Sequence, residues 1–315
     1  MKITALICIL ILISTLATAA EVTLMTATPE IAFTNPVWSP NGRSIAYVGV
    51  ATADQSRSIY LATLAGEWKN KPLVPGADYP IWSPDSKRLA FNKGGLSVMD
   101  PATGQGGVKN AIKPYPFGWS PNGRYVLCGA GLEGEALSLM DTKVGKTLPT
   151  AVGPDSVWMA DGKLLTSVGG DLLVLDPATG KSRVVAKGIG AKRPFIPKGA
   201  GYAWVQITEN APKGEGIYSV DLKTGALTKK IAVRAKSLYF SPDGKQFAFT
   251  ADWAINAQTE KQTCLYLGST RNWEFKIAAK GASQATDRQT LAAWSPDSKA
   301  IAYATAEGDI RILKL

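Results

Sequence analysis

Hydrophobic positions in this chain are grouped in short runs that end at Gly, Pro, Asn, Asp or Ser. Within many of these runs a small Ala stands beside large apolar residues, as at residues 45–48, 89–91 and 247–249. Short runs that are rich in aromatic and β-branched residues and bounded by turn residues predict β-strands. A small side chain beside a large one suits sheets that pack closely face to face. The pattern therefore predicts an all-β protein.

One turn recurs between successive strands, and its clearest form is Trp-Ser-Pro-Asn-Gly at residues 38–42. Proline fixes φ at the first corner, the Asn or Asp side chain bonds the backbone two residues on, and Gly accepts a left-handed conformation without steric cost. Ser86 and Ser298 take the Gly position in two copies, where this conformation is less comfortable. Each turn predicts a hairpin with a strand on either side.

These turns mark seven copies of a longer repeat. The aromatic or Ile residues that mark the copies follow one another at spacings of 44, 37, 39, 38, 44 and 54 residues: Trp38, Trp82, Trp119, Trp158, Ile196, Phe240 and Trp294. A strand-rich repeat with a period of about 40 residues is typical of a β-propeller blade. Because the tryptophans recur at one repeat position, we expect them to pack between blades rather than to bind a ligand.

Strand counting completes the ring. A third strand follows each hairpin, as at residues 96–100 and 171–176, and a weaker fourth strand follows that. The last copy stops after its third strand, whereas residues 21–25 resemble a fourth strand that lacks the first three. We predict a seven-bladed β-propeller of four-stranded antiparallel blades, closed by the N-terminal strand, with six blades as the alternative. Closure removes exposed strand edges.

The first twenty residues have the pattern of a signal peptide. Lys2 precedes an apolar run at residues 3–16, and small residues follow at 17–20. We therefore predict a cleaved signal at residues 1–20, a single propeller domain at residues 21–315, and a periplasmic or secreted protein. The alternative is an N-terminal membrane anchor, but the run is shorter than the roughly 20 apolar residues that a spanning helix needs. No later apolar segment reaches that length. We also expect the protein to be a monomer.

Composition narrows the chemistry further. The formal charge is +10, with basic residues scattered along the chain, which favours a solvated surface or attraction to an anionic partner over nucleic-acid binding. The chain has no histidine, so it can build neither a Ser-His-Asp triad nor a His-based metal site. No Asp-rich calcium loop is visible. We expect no cofactor and no metal, and Cys128 and Cys264 as buried thiols, with a disulfide between them as the alternative.

The W-S-P-[DN]-[GS]-[KR] repeat resembles the WD-type propeller repeat of the TolB family, over essentially all of residues 21–315. The resemblance implies a periplasmic propeller that works with other envelope proteins. Two departures stand out. Repeats begin by Pro36, which leaves no room for the α/β domain that precedes the TolB propeller, and the repeat occurs seven times rather than six. The N-terminal partner-binding segment of that family cannot be carried over, since residues 21–25 are assigned to ring closure.

Candidate binding residues lie where the copies differ, because the shared turn builds the blades. Propellers bind ligands at the mouth of the central channel, which is lined by the loops before the first strand and between the second and third strands. The residues at the start of the first strand vary between copies: Asn35, Tyr79, Tyr115, Asp155, Arg193 and Lys236. The long loops of blades five to seven add Asp252, Trp253 and Arg288. From these sets we predict binding through Tyr79, Tyr115, Asp155, Arg193, Lys236, Asp252, Trp253 and Arg288.

Two functions remain open from the sequence. Because histidine and any clustered acid–base pair are missing from the sequence, the prediction is a non-catalytic binding or scaffold propeller that contacts a protein or peptide in the cell envelope. The alternative is a lyase or hydrolase that acts on polysaccharides or other glycans through carboxylates, Tyr or Arg at the channel mouth.

Overall fold

A computed structural model of the chain describes residues 20–64, 71–110, 115–129, 137–207, 214–233, 235, 237–254, 261–283 and 291–315. Within these ranges all regular secondary structure is β. None of the described residues belongs to a helix long and apolar enough to cross a membrane.

The strands group into seven four-stranded sheets. Blade one contains β2 (Ile31–Trp38), β3 (Ser44–Ala51), β4 (Arg57–Thr63) and β5 (Val74–Pro75). Blade two contains β6 (Asp78–Trp82), β7 (Leu89–Asn92), β8 (Leu96–Met99) and β9 (Gly106–Asn110). Blade three contains β10 (Tyr115–Trp119), β11 (Tyr125–Gly129), β12 (Leu137–Asp141) and β13 (Lys146–Val152). Blade four contains β14 (Ser156–Trp158), β15 (Leu164–Val168), β16 (Asp171–Leu175) and β17 (Ser182–Ala186).

The remaining blades follow the same order. Blade five contains β18 (Lys192–Phe195), β19 (Tyr202–Ile207), β20 (Gly216–Asp221) and β21 (Leu227–Ile231). Blade six contains β22 (Ser237–Phe240), β23 (Gln246–Ala254), β24 (Lys261–Ser269) and β25 (Phe275–Lys280). Blade seven contains β26 (Ala292–Trp294), β27 (Ala300–Ala304), β28 (Ile310–Lys314) and the N-terminal β1 (Glu21–Met25). The predicted seven-bladed, all-β propeller is confirmed, and the six-bladed alternative is wrong.

Ring closure occurs as the strand counting predicted. β1 pairs antiparallel with β28, so that Glu21 faces Leu313 and Met25 faces Ile310. Leu24 is 8% exposed and packs in a core with Phe33 of blade one and Ile312 of blade seven. Closure therefore joins the first and last blades both by backbone hydrogen bonds and by a shared hydrophobic core.

Hydrogen bonds from the repeated tryptophans link neighbouring blades. The indole Nε1 of Trp82 donates to the carbonyl of Val37 at 3.2 Å. Three further indoles donate to the blade before their own in the same way, at 3.2, 3.4 and 3.2 Å: Trp119 to Ile81, Trp158 to Gly118 and Trp294 to Tyr239. The indole Nε1 of Trp38 is also buried but has no such partner in the described part of the chain. The boundary between blades seven and one thus lacks one bond that four other boundaries have.

Replacing Trp82 with Phe should destabilise the fold more than replacing Trp38 with Phe. Both changes remove the same indole volume, but only the first breaks a hydrogen bond and leaves a buried carbonyl without its donor. We expect the first variant to be less stable than the second by about 1 kcal/mol, measured as the free energy of unfolding in urea. Equal losses would show that the indole bond contributes nothing at this boundary.

Ser86 and Ser298 have a structural reason for replacing Gly. Both take the left-handed conformation, with φ of 61° in each case. The hydroxyl of Ser86 accepts the backbone N–H of Asn41 in blade one at 3.0 Å, and that of Ser298 accepts the N–H of Asp243 in blade six at 3.1 Å. A hydroxyl therefore offsets the strain of a left-handed serine by tying its turn to the turn of the preceding blade.

A left-handed glycine is also replaced in the hairpin between the third and fourth strands. Four blades have Gly at the left-handed position of this turn, with φ of 72°, 69°, 70° and 74°: Gly104, Gly145, Gly180 and Gly225. In blade six Trp273 occupies it with φ of 60°. Its ring centroid lies 5.4 Å from that of Trp204 and 5.3 Å from that of Phe247. Packing of a large ring against blades five and six holds Trp273 in a conformation that the other blades give to Gly.

The two cysteines of the propeller are thiols rather than a disulfide. Cys128 lies in blade three and Cys264 in blade six, and both are fully buried. Burial raises the pKa of the Cys128 thiol to about 12 and also raises the pKa of Cys264. Both groups therefore stay protonated at neutral pH and act as small apolar side chains.

Candidate functional site at the channel mouth

The channel mouth is the end of the ring at which Asn35, Tyr79, Tyr115, Asp155 and Arg193 lie, three or four residues before the repeated aromatic or Ile position of blades one to five. The pairing of the first strand with the second shifts register between Thr34 and Val37, between Asp78 and Ile81, and between Lys192 and Phe195. These bulges in blades one, two and five lie at Asn35, Tyr79 and Arg193. Such bulges bend a strand and redirect a side chain, and they are frequent beside active sites.

Three mouth residues have a strained backbone. Asn35, Tyr79 and Arg193 have φ of 52°, 54° and 51°, and each stands immediately before a proline. Proline favours an extended conformation in the residue before it, and a left-handed residue other than Gly costs about 1–3 kcal/mol. Strain of this kind persists only where the surrounding structure enforces it, and it clusters at functional sites. The mouth is therefore where this fold departs from the regular blade.

A small open pocket with a cavity volume of about 50 Å³ lies at the mouth across blades one to three. Its wall is mostly apolar with a few polar groups: Asn35, Val37, Tyr79, Pro80, Ile81, Pro116 and Phe117. Beside it the rings of Tyr79 and Tyr115 are in contact, with centroids 4.6 Å apart and planes tilted by 57°. An apolar wall with two neighbouring phenol rings suits a ligand that has both carbon faces and hydroxyl groups.

Asn35 is the most unusual polar residue of this pocket. It is 3% exposed, and neither its Nδ2 nor its Oδ1 has a hydrogen-bond partner within the described ranges. A buried polar group without a partner costs about 1–3 kcal/mol. The amide is held at the pocket wall by a bulged, left-handed backbone. It is thus placed to exchange hydrogen bonds with a group that both donates and accepts, such as a sugar hydroxyl.

An ion pair holds the backbone of Tyr79 in place. Asp78 Oδ1 accepts the backbone N–H of Tyr79 at 2.7 Å, while its Oδ2 lies 2.6 Å from Nη1 of Arg57. The Asp78 side chain is 14% exposed. The carboxylate therefore binds the N–H of the strained residue and is itself fixed by the guanidinium of Arg57 in blade one.

A second contact joins blades four and five. Asp155 Oδ1 accepts the backbone N–H of Arg193 at 3.1 Å, so a carboxylate again holds a left-handed mouth residue. Nη1 of Arg193 is buried and has no hydrogen-bond partner in the ranges that the structure describes. The mouth thus combines an uncharged pocket on blades one to three with a guanidinium on blade five.

The structure brings some of the predicted site residues together. Tyr79 contacts Tyr115, and Asp155 contacts Arg193. Asp252 and Trp253 pair through their backbones with Thr263 and Gln262, and their side chains lie outside the described part. Lys236 and Arg288 are also outside the described residues. Binding through this set of residues stays a prediction.

Sequence analysis missed the supporting residues of the mouth. Asn35 was recognised only as one of the variable positions, and Asp78 and Phe117 were not singled out. One signal could have marked candidates for the strained set: Asn35, Tyr79 and Arg193 each precede a proline in a first strand. Tyr115 also precedes a proline but is not left-handed, so the signal alone does not separate the strained residues. Because proline has no backbone N–H, each of these prolines removes one hydrogen-bond donor from the strand pairing, which favours a bulge or an irregular strand start.

Comparison with solved structures identifies enzymes with this fold. No family model matches the chain. Oligogalacturonate lyases share the fold, and one of them, in complex with manganese, superimposes with a TM-score of 0.69 at 16% identity over 95% of this chain and 98% of that chain. A putative TolB from Agrobacterium tumefaciens aligns with a TM-score of 0.46 at 15% identity over 91% of each chain, a similarity too low to argue from. These identities establish a shared fold.

A curated relative is also described as an enzyme. The uncharacterized peptidase YuxL of Bacillus subtilis (strain 168) is 26% identical over 145 residues. The aligned stretch is 42% of this chain and 22% of that protein, so the chain spans about a fifth of the relative's length.

The prediction of a non-catalytic scaffold propeller is therefore wrong. It rested on the absence of histidine and of acid–base residues that are close in the sequence. The similar proteins include a protein described as a peptidase and two lyases, and the fold brings Tyr79 of blade two against Tyr115 of blade three. Tyr and carboxylates also transfer protons in enzymes, so an active site does not require histidine. The glycan-acting alternative fits these findings better.

Manganese does not fit the residues found here. The chain has no histidine, and the described residues contain no group of three or more His, Cys, Asp or Glu side chains that could hold a metal ion. Asp78 and Asp155, the carboxylates described at the mouth, each bind a backbone N–H. The donor set of a manganese site is thus missing from the described mouth.

Proposed function

We propose that this protein is a lyase that cleaves uronate-containing oligosaccharides at the channel mouth. The contact between Tyr79 and Tyr115 beside the pocket carries the proposal, because a sugar bound in that pocket would have two phenol rings next to it. The unpartnered Asn35 amide adds a hydrogen-bonding group for sugar hydroxyls. The fold shared with oligogalacturonate lyases supports the same substrate class.

Elimination suits these side chains better than hydrolysis. Most glycosidases need two carboxyl groups that flank the scissile bond about 5–10 Å apart. Here Asp78 is bound by Arg57 and the N–H of Tyr79, and Asp155 by the N–H of Arg193. The two tyrosines instead supply two phenol rings in contact with each other. One phenolate and one phenol can act as base and acid.

The elimination balances with these two groups. The phenolate of one tyrosine takes the C5 proton, which is acidic because C5 adjoins the uronate carboxyl group. The C5–H electron pair becomes the C4=C5 double bond, and the bond between C4 and the glycosidic oxygen breaks. The other tyrosine gives its proton to the departing oxygen. Exchange with solvent then restores the starting protonation of both tyrosines.

We also propose where the protein acts and to which propellers its blades are related. Residues 1–20 support export across a membrane, and glycan polymers outside the cytoplasm would then be within reach. The W-S-P repeat supports a relationship to TolB propellers in the blades, apart from their role in the envelope.

Replacing Tyr79 with Phe should reduce cleavage of trigalacturonate by about 100-fold or more, because removing a general acid or base costs about 10²–10⁴ in rate. Cleavage is followed by the ultraviolet absorbance of the new double bond. Mass spectrometry separates the reactions, since products of elimination add up to the substrate mass and products of hydrolysis exceed it by one water.

Tyr202→Phe is the matched control. Tyr202 is 37% exposed and begins β19, at the end of blade five opposite to the mouth. It should leave the rate unchanged. Absence of cleavage of both galacturonate and neutral galactose oligomers by the wild-type protein would contradict the proposal, as would equal losses in the two variants.

A further inference from the structure

Arg193 is a half-buried residue whose charge no described residue neutralises. Its Nη1 is buried, and neither a hydrogen bond nor an ion pair to its guanidinium is found within the described part of the chain. Burying a charged group without a partner is strongly unfavourable. Such a group is retained in a folded protein where a ligand of opposite charge forms an ion pair with it.

The backbone fixes the position of this side chain. Arg193 has φ of 51°, lies in the bulge between Lys192 and Phe195, and donates its N–H to Asp155. Asn35 and Tyr79 occupy the same repeat position with the same left-handed φ, and both line the pocket. Because Arg193 occupies the same repeat position as Asn35 and Tyr79, its side chain begins at the same depth in the channel mouth. A site fixed in this way loses little entropy when it binds.

We propose that Arg193 binds the carboxylate of the substrate and takes the place of a divalent cation at this mouth. The inference rests on the proposed lyase function and assigns the group that recognises the anion. Elimination needs a positive charge at the uronate carboxylate, because charge accumulates there as C5 loses its proton. A guanidinium is always protonated and matches a carboxylate with two parallel N–H groups. The described mouth lacks metal ligands, so Arg193 supplies this charge without a metal.

Binding without metal tests the proposal directly. The full-length protein in excess EDTA is titrated calorimetrically with trigalacturonate and, separately, with its fully methyl-esterified form. We expect wild type to bind the acid form, and Arg193→Gln to weaken that binding by about 10- to 100-fold. The ester lacks the negative charge, so the substitution should change its affinity by less than about threefold. Lys192→Gln removes an exposed positive charge from the adjacent residue and should leave both affinities unchanged.

Stability gives a readout that a purely structural role would not produce. Without ligand, Arg193→Gln should have a Tm at least as high as wild type, since it removes an unpaired charge that is only partly exposed to water. A lower Tm together with equal loss of acid and ester binding would overturn the proposal, as would binding that disappears in EDTA and returns with Mn²⁺. If Arg193→Gln does not change the rate of cleavage, the proposed carboxylate site is wrong but the proposed lyase function still holds. Carboxylate binding that depends on Arg193, with no cleavage, would reject the lyase and keep the site.

Discussion

Replacing Trp273 with Ala is expected to lower the free energy of unfolding by about 3 kcal/mol. The ring packs against Trp204 and Phe247 at centroid distances of 5.4 and 5.3 Å, and alanine would leave that space empty. Alanine would also keep the strain of a left-handed residue, because φ at this position is 60°. Urea unfolding followed by circular dichroism measures the effect without relying on tryptophan fluorescence.

Trp273→Gly provides the internal comparison. Glycine loses the same packing but adopts the left-handed conformation without strain, as it does in the same turn of four other blades. We expect the Gly variant to be more stable than the Ala variant by about 1 kcal/mol. This order is the reverse of that at most positions, where Gly is the more destabilising replacement. A Gly variant that is less stable than the Ala variant would show that backbone strain at Trp273 is negligible.

Replacing Leu24 with Asp should open the ring. Leu24 is 8% exposed between blades one and seven, so the substitution both removes apolar contacts and buries a carboxylate. We expect a loss of about 4 kcal/mol or more in the free energy of unfolding. Detachment of β1 would also expose the edge of β28, which is a template for pairing with other chains. Thermal unfolding and light scattering together measure both effects.

Val22→Asp is the control for this prediction. Val22 lies on the same strand and is 45% exposed, so an aspartate there remains in water. Its variant should unfold within about 0.5 kcal/mol of wild type and stay monodisperse. Similar losses in the two variants would mean that burial at Leu24 is not what closes the ring.

The architecture could be predicted because local rules repeat along the chain. Each hairpin turn contains Pro, Asn or Asp, and a residue that tolerates positive φ, so every copy independently indicates the same pair of strands. Ring closure followed from strand counting alone. Trp273 was not predictable in this way, because only its packing against blade five explains a tryptophan at a position that is Gly elsewhere.

The mouth was predicted less well, because it forms between residues far apart in the chain. Tyr79 and Tyr115 come together across a blade boundary, and the charge of Arg193 is unusual only once its burial is known. The missing histidine was interpreted as a missing active site, although it excludes only the chemistries that need imidazole. The candidate site consists of spatial neighbours that no short motif encodes.

The indole bonds between blades also determine how the ring bears mechanical load. Four blade boundaries have a tryptophan bond across them, whereas Trp38, at the boundary between blades seven and one, has no partner in the described part. The two ends of the propeller meet within blade seven, beside this boundary, through the pairing of β1 with β28. A force that pulls the chain ends apart would shear this strand pair first. Blade one could then separate from blade seven without breaking a tryptophan bond, whereas four other boundaries would each have to break one.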